Sequence, residues 1–388
     1  MNNKQARSSN IELLRIISMF MIIIYHIIIH CVNVQLVNVS SIEALENGWF
    51  NNPLYYRQLL YLSLCMPLGL VGNSIFIMIS GYFLVDRDID ILKVSKKMLS
   101  QLLFAAVTLV LISAAFIYKN EDVTAVQYLF SYIKIQYFNK MSWFVGYYFI
   151  IMLAAYLFLN KFLAKLDYRK YLGFLLAILA VSQLSWSGSL LDDLASGLRT
   201  VMVGVFFYAF GGFIKKYNPF ARVRGYVFFL IIALTNLIIG ISYHNNVIGK
   251  IESYYFNLAE AELDPAAVTD MDFIQSIPKF QNYSIVVVIL GICLFEIFRR
   301  IKLPTIKPIN FIAQATFMIY LLHDNGFAYS IWLTQDWITV LYNNCWDFAQ
   351  MICIWAVKIF LFGFIAYLVY MLLLFILKKC SFLFIKNL

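Results

Sequence analysis

The stretch NIELLRIISMFMIIIYHIIIH, Asn10 to His30, decides the fold. It is long and apolar enough to cross a bilayer, which takes ~20 residues. Yet it carries Glu12, Arg15, His26 and His30. Ionisable groups inside a span are expensive, so they usually face a bundle interior and mark a functional path. At about 100° per residue, Arg15 and His26 are roughly three full turns apart and share a face. Glu12 falls one turn below Arg15 and His30 one turn above His26, on that same stripe. The pattern predicts a polar stripe turned inward, with Ile11, Ile17, Met21, Ile24 and Ile28 turned to lipid. Alone, Arg15 reads equally well as a topology anchor, and a single membrane histidine as an interhelical hydrogen bond. Four polar groups on one stripe argue for more than anchoring.

Composition extends this reading to the whole chain. Its 388 residues are 62% hydrophobic and 13% charged, with a mean hydropathy of +0.77. That balance excludes a soluble domain and points to an all-α, polytopic bundle of membrane helices. The longest polar stretch, His244 to Phe280, has room for a short helix or two and no core. The net charge of +9 is not a nucleic-acid signature, because the basic residues lie in short loops between spans and no aromatic-basic patch accompanies them. Cys31, Cys65, Cys293, Cys345, Cys353 and Cys380 form no Cys-x-x-Cys or Cys/His pattern, so they read as packing residues and no metal is expected. The N-terminal MNNKQARSSN has no small-residue cleavage site after its apolar run, which argues against a removable signal peptide.

Ten apolar segments make one membrane domain over 1–388: 11–32, 60–84, 99–118, 143–160, 171–187, 199–214, 225–243, 281–298, 309–333 and 350–377. The last two are long enough to tilt or break. Tyr128 to Tyr137 is aromatic but too short to span, and reads as an interfacial piece. With the N-terminus in the cytoplasm, alternate loops divide Lys and Arg 21 inside to 7 outside, leaving Arg15 and Lys358 in the membrane. Most acidic residues fall on the other side, including a cluster from Glu252 to Asp272. All seven tryptophans lie in external loops or near external span ends. Both termini are therefore expected to be cytoplasmic. No internal repeat is visible, which counts mildly against an inverted-repeat transporter.

Beyond the first span, few polar groups stand at membrane depth: His323 and Asp324 on the ninth segment and Lys358 on the tenth. His323 and His26 lie about 14 and 15 residues from the cytoplasmic starts of their spans, so at ~1.5 Å per residue they reach similar depth. The two can line one cavity. Histidine is the natural general base there, because its proton affinity is tunable across neutrality. Arg15 stays charged and can hold a phosphate, a carboxylate or the neighbouring Glu12. His323 also reads as packing glue, Lys358 as a snorkelling side chain, Ser80-Gly81 as a small-residue helix contact, and Lys93, Lys96 and Lys97 as a solvated inner loop.

In this order, the residues resemble the membrane-bound acyltransferase-3 family, which moves acyl groups, usually acetyl, from coenzyme A to sugars and other acceptors. The most specific part is the acid, the Arg three residues on, and the His after ten more: here Glu12, Arg15 and His26, where the family more often has Asp first. FIMISGYFL (Phe76 to Leu84) resembles the Ser-Gly element that closes the family's second span, and Lys93, Lys96 and Lys97 stand in its basic loop. SWFVGYYF (Ser142 to Phe149) is similar to the Trp-Phe/Leu element, although the preceding His is absent. GGFIKK (Gly211 to Lys216) and FMIYLLHDN (Phe317 to Asn325) resemble the later Gly-Tyr/Phe and Tyr-Leu-x-His elements.

The resemblance implies an integral membrane O-acyltransferase of the plasma membrane. Its co-substrates would be acetyl-CoA and a carbohydrate acceptor such as a bacterial cell-surface or exopolysaccharide. Polysaccharide biosynthesis proteins would be its partners. It implies His26, Arg15 and Glu12 as the catalytic set and His323, Ser80 and Trp143 as supporting cavity residues. Lys93, Lys96 and Lys97, with Arg15, would hold the coenzyme's phosphates. Ser80, Trp143 and Arg15 are the candidates for stabilising an oxyanion. The competing reading is a transporter or flippase for a polysaccharide or its precursor, using the same intramembrane charges as a path.

Overall fold

The computed structural model describes residues 8–37, 53–120, 135–183, 192–261 and 276–386, and every regular element among them is helical. Seven helices are long and apolar enough to cross a membrane by length and composition: Ser9–Leu36, Tyr56–Leu84, Ile91–Ile112, Trp143–Lys165, Gly197–Tyr217, Gly225–Lys250 and Cys345–Lys379. The other three expected spans take different forms. Segments 171–187 and 281–298 fall on helices of 16 residues each, Tyr168–Gln183 and Ile285–Arg300. At ~1.5 Å per residue Ile285–Arg300 is about 24 Å long, short of a ~30 Å hydrocarbon core, while Tyr168–Gln183 runs up to 184–191, which lie outside the described residues. Segment 309–333 is not one helix but a chain of short ones.

In chain order the elements are α1 (Ser9–Ile27), α2 (Pro53–Cys65), α3 (Leu68–Leu84), α4 (Ile91–Asn120), α5 (Ile135–Ala154), α6 (Tyr168–Gln183) and α7 (Asp192–Tyr217). They continue with α8 (Gly225–Ala261), α9 (Ile285–Arg300), α10 (Lys307–Ile312), α11 (Thr316–His323), α12 (Gly326–Leu333), α13 (Trp337–Asn343) and α14 (Cys345–Lys386). One π-helical turn carries α1 onward at Ile28–Val32, and another carries α5 onward at Ala155–Leu159. Such turns insert one residue and shift the side-chain register beyond them. The interfacial piece 128–137 lies outside the described residues up to 134, and its last residues begin α5. Of the stretch His244 to Phe280, the first part simply prolongs α8 to Ala261, and 262–275 lies outside the described residues.

The first span is more enclosed than expected: of its five outward candidates, only Ile17 and Ile24 are partly exposed. Ile11, Met21 and Ile28, expected outside, are 1%, 9% and 1% exposed. α1 packs on α3, α9, α10, α11 and α14, so it is a central helix whose apolar side meets protein. Hydropathy alone does not separate the two cases, because lipid tails and a protein interior are equally apolar.

α3 is the second central helix, and glycine sets how closely it approaches α7. A Cβ on Gly81 would fall 1.8 Å from the Tyr208 carbonyl oxygen, and one on Gly211 would fall 2.1 Å from that of Met78. The backbones are in mutual contact there, as small residues permit between membrane helices. Ser80-Gly81 is thus a helix contact in its glycine, while the serine next to it turns elsewhere.

The basic helix ends gather at one end of the bundle. The Asn10 side-chain amide donates to the Phe298 and Arg299 carbonyls at 3.0 and 3.2 Å. Asn160 donates to Leu84 O at 2.9 Å, Lys215 pairs with Asp86 at 3.1 Å, and Lys216 donates to Ala164 O and Leu166 O. Ser9 Oγ donates to Asn310 Oδ1 at 3.0 Å and accepts from Ile306 N. These bonds hold the named helix ends together on one side of the fold.

Candidate active site

α1 and the broken segment 309–333 build the site between them. α11 ends at His323, Asp324 leaves helical geometry at φ −87°, ψ 71°, and Asn325 is extended. The break is chemically prepared. Asn325 caps α12, its side chain accepting from Ala328 N at 2.9 Å, as short polar residues do at helix starts. Gly326 follows as the first helical residue. The consequence is that Asp324 projects from a kink at the level of His26.

His26 Nδ1 and His323 Nε2 are 3.0 Å apart, both rings buried. His323 Nδ1 contacts the Ile319 carbonyl at 2.9 Å. A carbonyl only accepts, so Nδ1 of His323 carries a proton. In a neutral pair its Nε2 then accepts from His26 Nδ1–H, and His26 Nε2 is left with the free lone pair. Asp324 Oδ1 stands 3.8 Å from His26 Nδ1, placed to favour a positive charge on that ring. The carboxylate is itself held: Tyr320 donates to Oδ2 at 3.1 Å, and Tyr329 donates to Oδ1. His30 lies flat on the Tyr329 ring, centroids 4.0 Å apart, and meets His26 edge-on.

Nearer the basic end, a cavity of roughly 270 Å³ opens between α1, α3, α4, α5 and α11. Arg15, Ser80, Lys97, Phe144, Tyr148 and Tyr320 are on its walls. Arg15 Nη1 donates to Glu12 Oε2 at 2.9 Å, with Glu12 6% and Arg15 24% exposed. The buried acid therefore anchors the guanidinium of Arg15, which lies on the cavity wall. Ser80 Oγ lies 3.0 Å from Phe76 O and 3.1 Å from the Tyr148 hydroxyl, tying the cavity wall together. The cavity reaches Ile22, one helical turn below His26. Tyr320 bridges the two levels, lining the cavity and bonding Asp324.

The structure thus brings together His26 with His323, and Arg15 with Glu12, Ser80 and Lys97. It leaves out three residues named from the sequence. Lys93 and Lys96 are exposed and off the cavity wall. Trp143 is 37% exposed and stacks loosely on Tyr147; its neighbours Phe144 and Tyr148, four residues apart on one helix face, line the cavity instead. Sequence reasoning gave Asp324 no role in the site. The polar triplet Asp-Asn-Gly at Asp324–Gly326, in the middle of an apolar run, was the available signal of a break. Among the described residues no group of three or more His, Cys, Asp or Glu side chains is arranged to hold a metal ion.

Neither the curated proteins nor the solved structures contain a match to this chain. The family comparison does find one: the acyltransferase-3 model, described as an acyltransferase domain, matches residues 8–378. With nearly the whole length matched and a helical fold of membrane-spanning character, the chain belongs to the acyltransferase-3 family of membrane acyltransferases.

Proposed function

We propose that the chain transfers acetyl from cytoplasmic acetyl-CoA to a hydroxyl of a bacterial cell-surface or exopolysaccharide, in the plasma membrane. The observation that carries this reading is the alignment of two features along α1. A cation-lined cavity opens at the basic end, and a histidine pair with one free ring nitrogen lies a turn beyond its inner wall.

The basic end faces the cytoplasm in this reading, with the positive-inside distribution as its support. Coenzyme A is polyanionic and cytoplasmic, so its phosphates meet Arg15 and Lys97 and its thioester arm runs upward along the cavity. Lys93 and Lys96 add to the field at the mouth without lining it. The acceptor approaches His26 from the other side. His26 Nε2 takes the hydroxyl proton as the oxygen attacks the thioester carbonyl. The C–O bond forms, the C–S bond breaks, and the departing thiolate takes the proton back from the imidazolium. Asp324 at 3.8 Å stabilises that imidazolium while it exists, and His323 holds the ring in the tautomer that exposes Nε2. Arg15 and Ser80 are the cavity groups able to donate to an oxyanion.

Surface glycan from cells producing the intact chain or the His26→Ala variant tests this by NMR. Acetyl signals should be present in the first and lost in the second, with the amount of glycan unchanged. Normal acetylation in the variant would sink the catalytic assignment. Reduced export of glycan that keeps its acetyl groups would instead point to transport.

A further inference from the structure

Next to the cavity beside Arg15 stand two polar side chains that the transfer step leaves unused. Asn73 on α3 is 5% exposed and Gln101 on α4 is 1% exposed. The side-chain oxygen of each is buried and accepts no hydrogen bond among the described residues. An unpaired buried acceptor is costly, so each oxygen calls for a donor from outside the chain, a water or a ligand.

Both residues continue helix stripes that line the cavity. On α3 the lining residues are Phe76 and Ser80; at about 100° per residue, Asn73 falls within roughly 20° of Ser80 and one turn beyond Phe76. Ser74, the next residue, turns away, its hydroxyl lying against Gly291 of α9. On α4 the lining residues are Val94, Lys97 and Met98; Gln101 falls within roughly 20° of Val94 and one turn beyond Lys97.

The contacts of α3 with α1 set the levels. Gly69 sits against Tyr25 and Gly72 against Ile22, so the two helices run antiparallel and Ser80 comes level with Arg15. At ~1.5 Å per residue, Asn73 stands about 10 Å further from the basic end than Ser80 and about 6 Å short of the turn that holds Tyr25 and His26. By the same rise Gln101 stands about 6 Å beyond Lys97.

The arm of coenzyme A carries two amides. Counting from the phosphate, the first amide nitrogen lies six bonds along, the second ten and the thioester carbon four further, which at full extension is about 7, 12 and a further 5 Å. With the phosphates on Arg15 and Lys97, the first amide reaches the level of Gln101 and the second that of Asn73. The thioester carbon then comes level with His26, with the attacking hydroxyl between them.

We propose that Gln101 and Asn73 dock the two amides of the donor's arm. Gln101 accepts from the first N–H and Asn73 from the second, which fixes the height of the thioester below His26. The proposal rests on the acyl-CoA reading above and deepens it, assigning partners to the arm between the phosphate site and the histidine pair. Both are binding residues, and neither moves a proton in the transfer.

The test is donor affinity of the purified full-length chain in detergent, by titration calorimetry. The probes are acetyl-CoA and two analogues, each with an ester oxygen in place of one amide N–H. The wild type should bind each analogue about five- to ten-fold more weakly than acetyl-CoA, the effect of one hydrogen bond. Asn73→Leu should bind acetyl-CoA and the second-amide analogue equally while still discriminating against the first, and Gln101→Leu should do the reverse. Thermal unfolding of both variants should hold or rise, because each loses an unpaired buried oxygen. Equal binding of all three donors by the wild type, a comparison that needs neither variant, would overturn the proposal and leave the acyl-CoA reading standing. Discrimination that survives in the matching variant would overturn it too. A wild type that binds none of the three would overturn the acyl-CoA reading and the proposal with it.

Discussion

Two buried charge clusters lie at different levels of the bundle, one at its basic end and one inside it, and they differ in what they leave unsatisfied. At the basic end, Glu296 is fully buried and accepts from Arg299 Nε at 2.9 Å, Arg299 Nη2 at 3.0 Å and Arg300 Nε at 3.1 Å. The arginines spend their remaining donors on the turn after α7: Arg299 on Asn218 Oδ1 at 2.7 Å, Arg300 on the Val223 and Phe220 carbonyls at 2.5 Å each. Asn218 itself is left-handed, φ 44°, where it closes α7. Donors and acceptors are matched, and the cluster joins α9 to the α7–α8 turn. Around His26 the count is different. His323 and Asp324 constrain the ring from one nitrogen only, and the other nitrogen has its lone pair free. The first cluster is a fastening; the second has a proton acceptor to spare.

That contrast can be broken from either side. Glu296→Gln removes the charge between two arginines and should destabilise the fold by about 3 kcal/mol. Thermal unfolding in detergent reads the loss, while transfer per folded molecule should stay within about two-fold. A large fall in turnover with no change in stability would mean that the inner cluster does chemistry. Asp324→Asn keeps the shape but withdraws the countercharge from the imidazolium. Turnover should fall by roughly 10²-fold, with acetyl-CoA affinity unchanged; a purely structural role would show as lost stability instead.

Smaller effects sharpen the division between cavity and histidine pair. Lys97→Gln should raise the apparent KM for acetyl-CoA by about five- to ten-fold and leave kcat alone. Lys93→Gln and Lys96→Gln, off the wall, should each change it less than Lys97→Gln does. Equal effects at all three positions would mean a diffuse field and no docked phosphate. Tyr329→Phe removes one of two hydroxyls on Asp324 and should cost about five-fold in kcat, about 1 kcal/mol, the net worth of one typical hydrogen bond. Steady-state kinetics on the purified variants separates these cases.

The sequence made the first span legible because ionisable side chains in an apolar run have few reasons to be there. Arg15 facing Glu12 followed from their spacing on one helix, and similar depth for His26 and His323 followed from counting rise. What could not be read was which apolar surface meets protein. Ile11, Met21 and Ile28 are chemically the same whether they touch lipid or α3 and α14. Nor did hydropathy mark where a long apolar run breaks: Phe317 to Leu333 remains hydrophobic on average while Asp324, Asn325 and Gly326 interrupt its helix. That interruption gives Asp324 its place. Trp143 shows the limit of a motif, since the element is on the cavity wall but one residue's rotation turns its tryptophan away and Phe144 inward.

In the proposed mechanism His26 Nε2 is the proton acceptor in acyl transfer. Purified wild type and His26→Ala, given labelled acetyl-CoA and a glycan acceptor, can be compared for thioester binding and for transfer in the same samples. Binding should agree within about two-fold, and transfer by the variant should fall by roughly 10³-fold, the usual contribution of a positioned base. Transfer at the wild-type rate by a variant that binds acetyl-CoA normally would contradict the account.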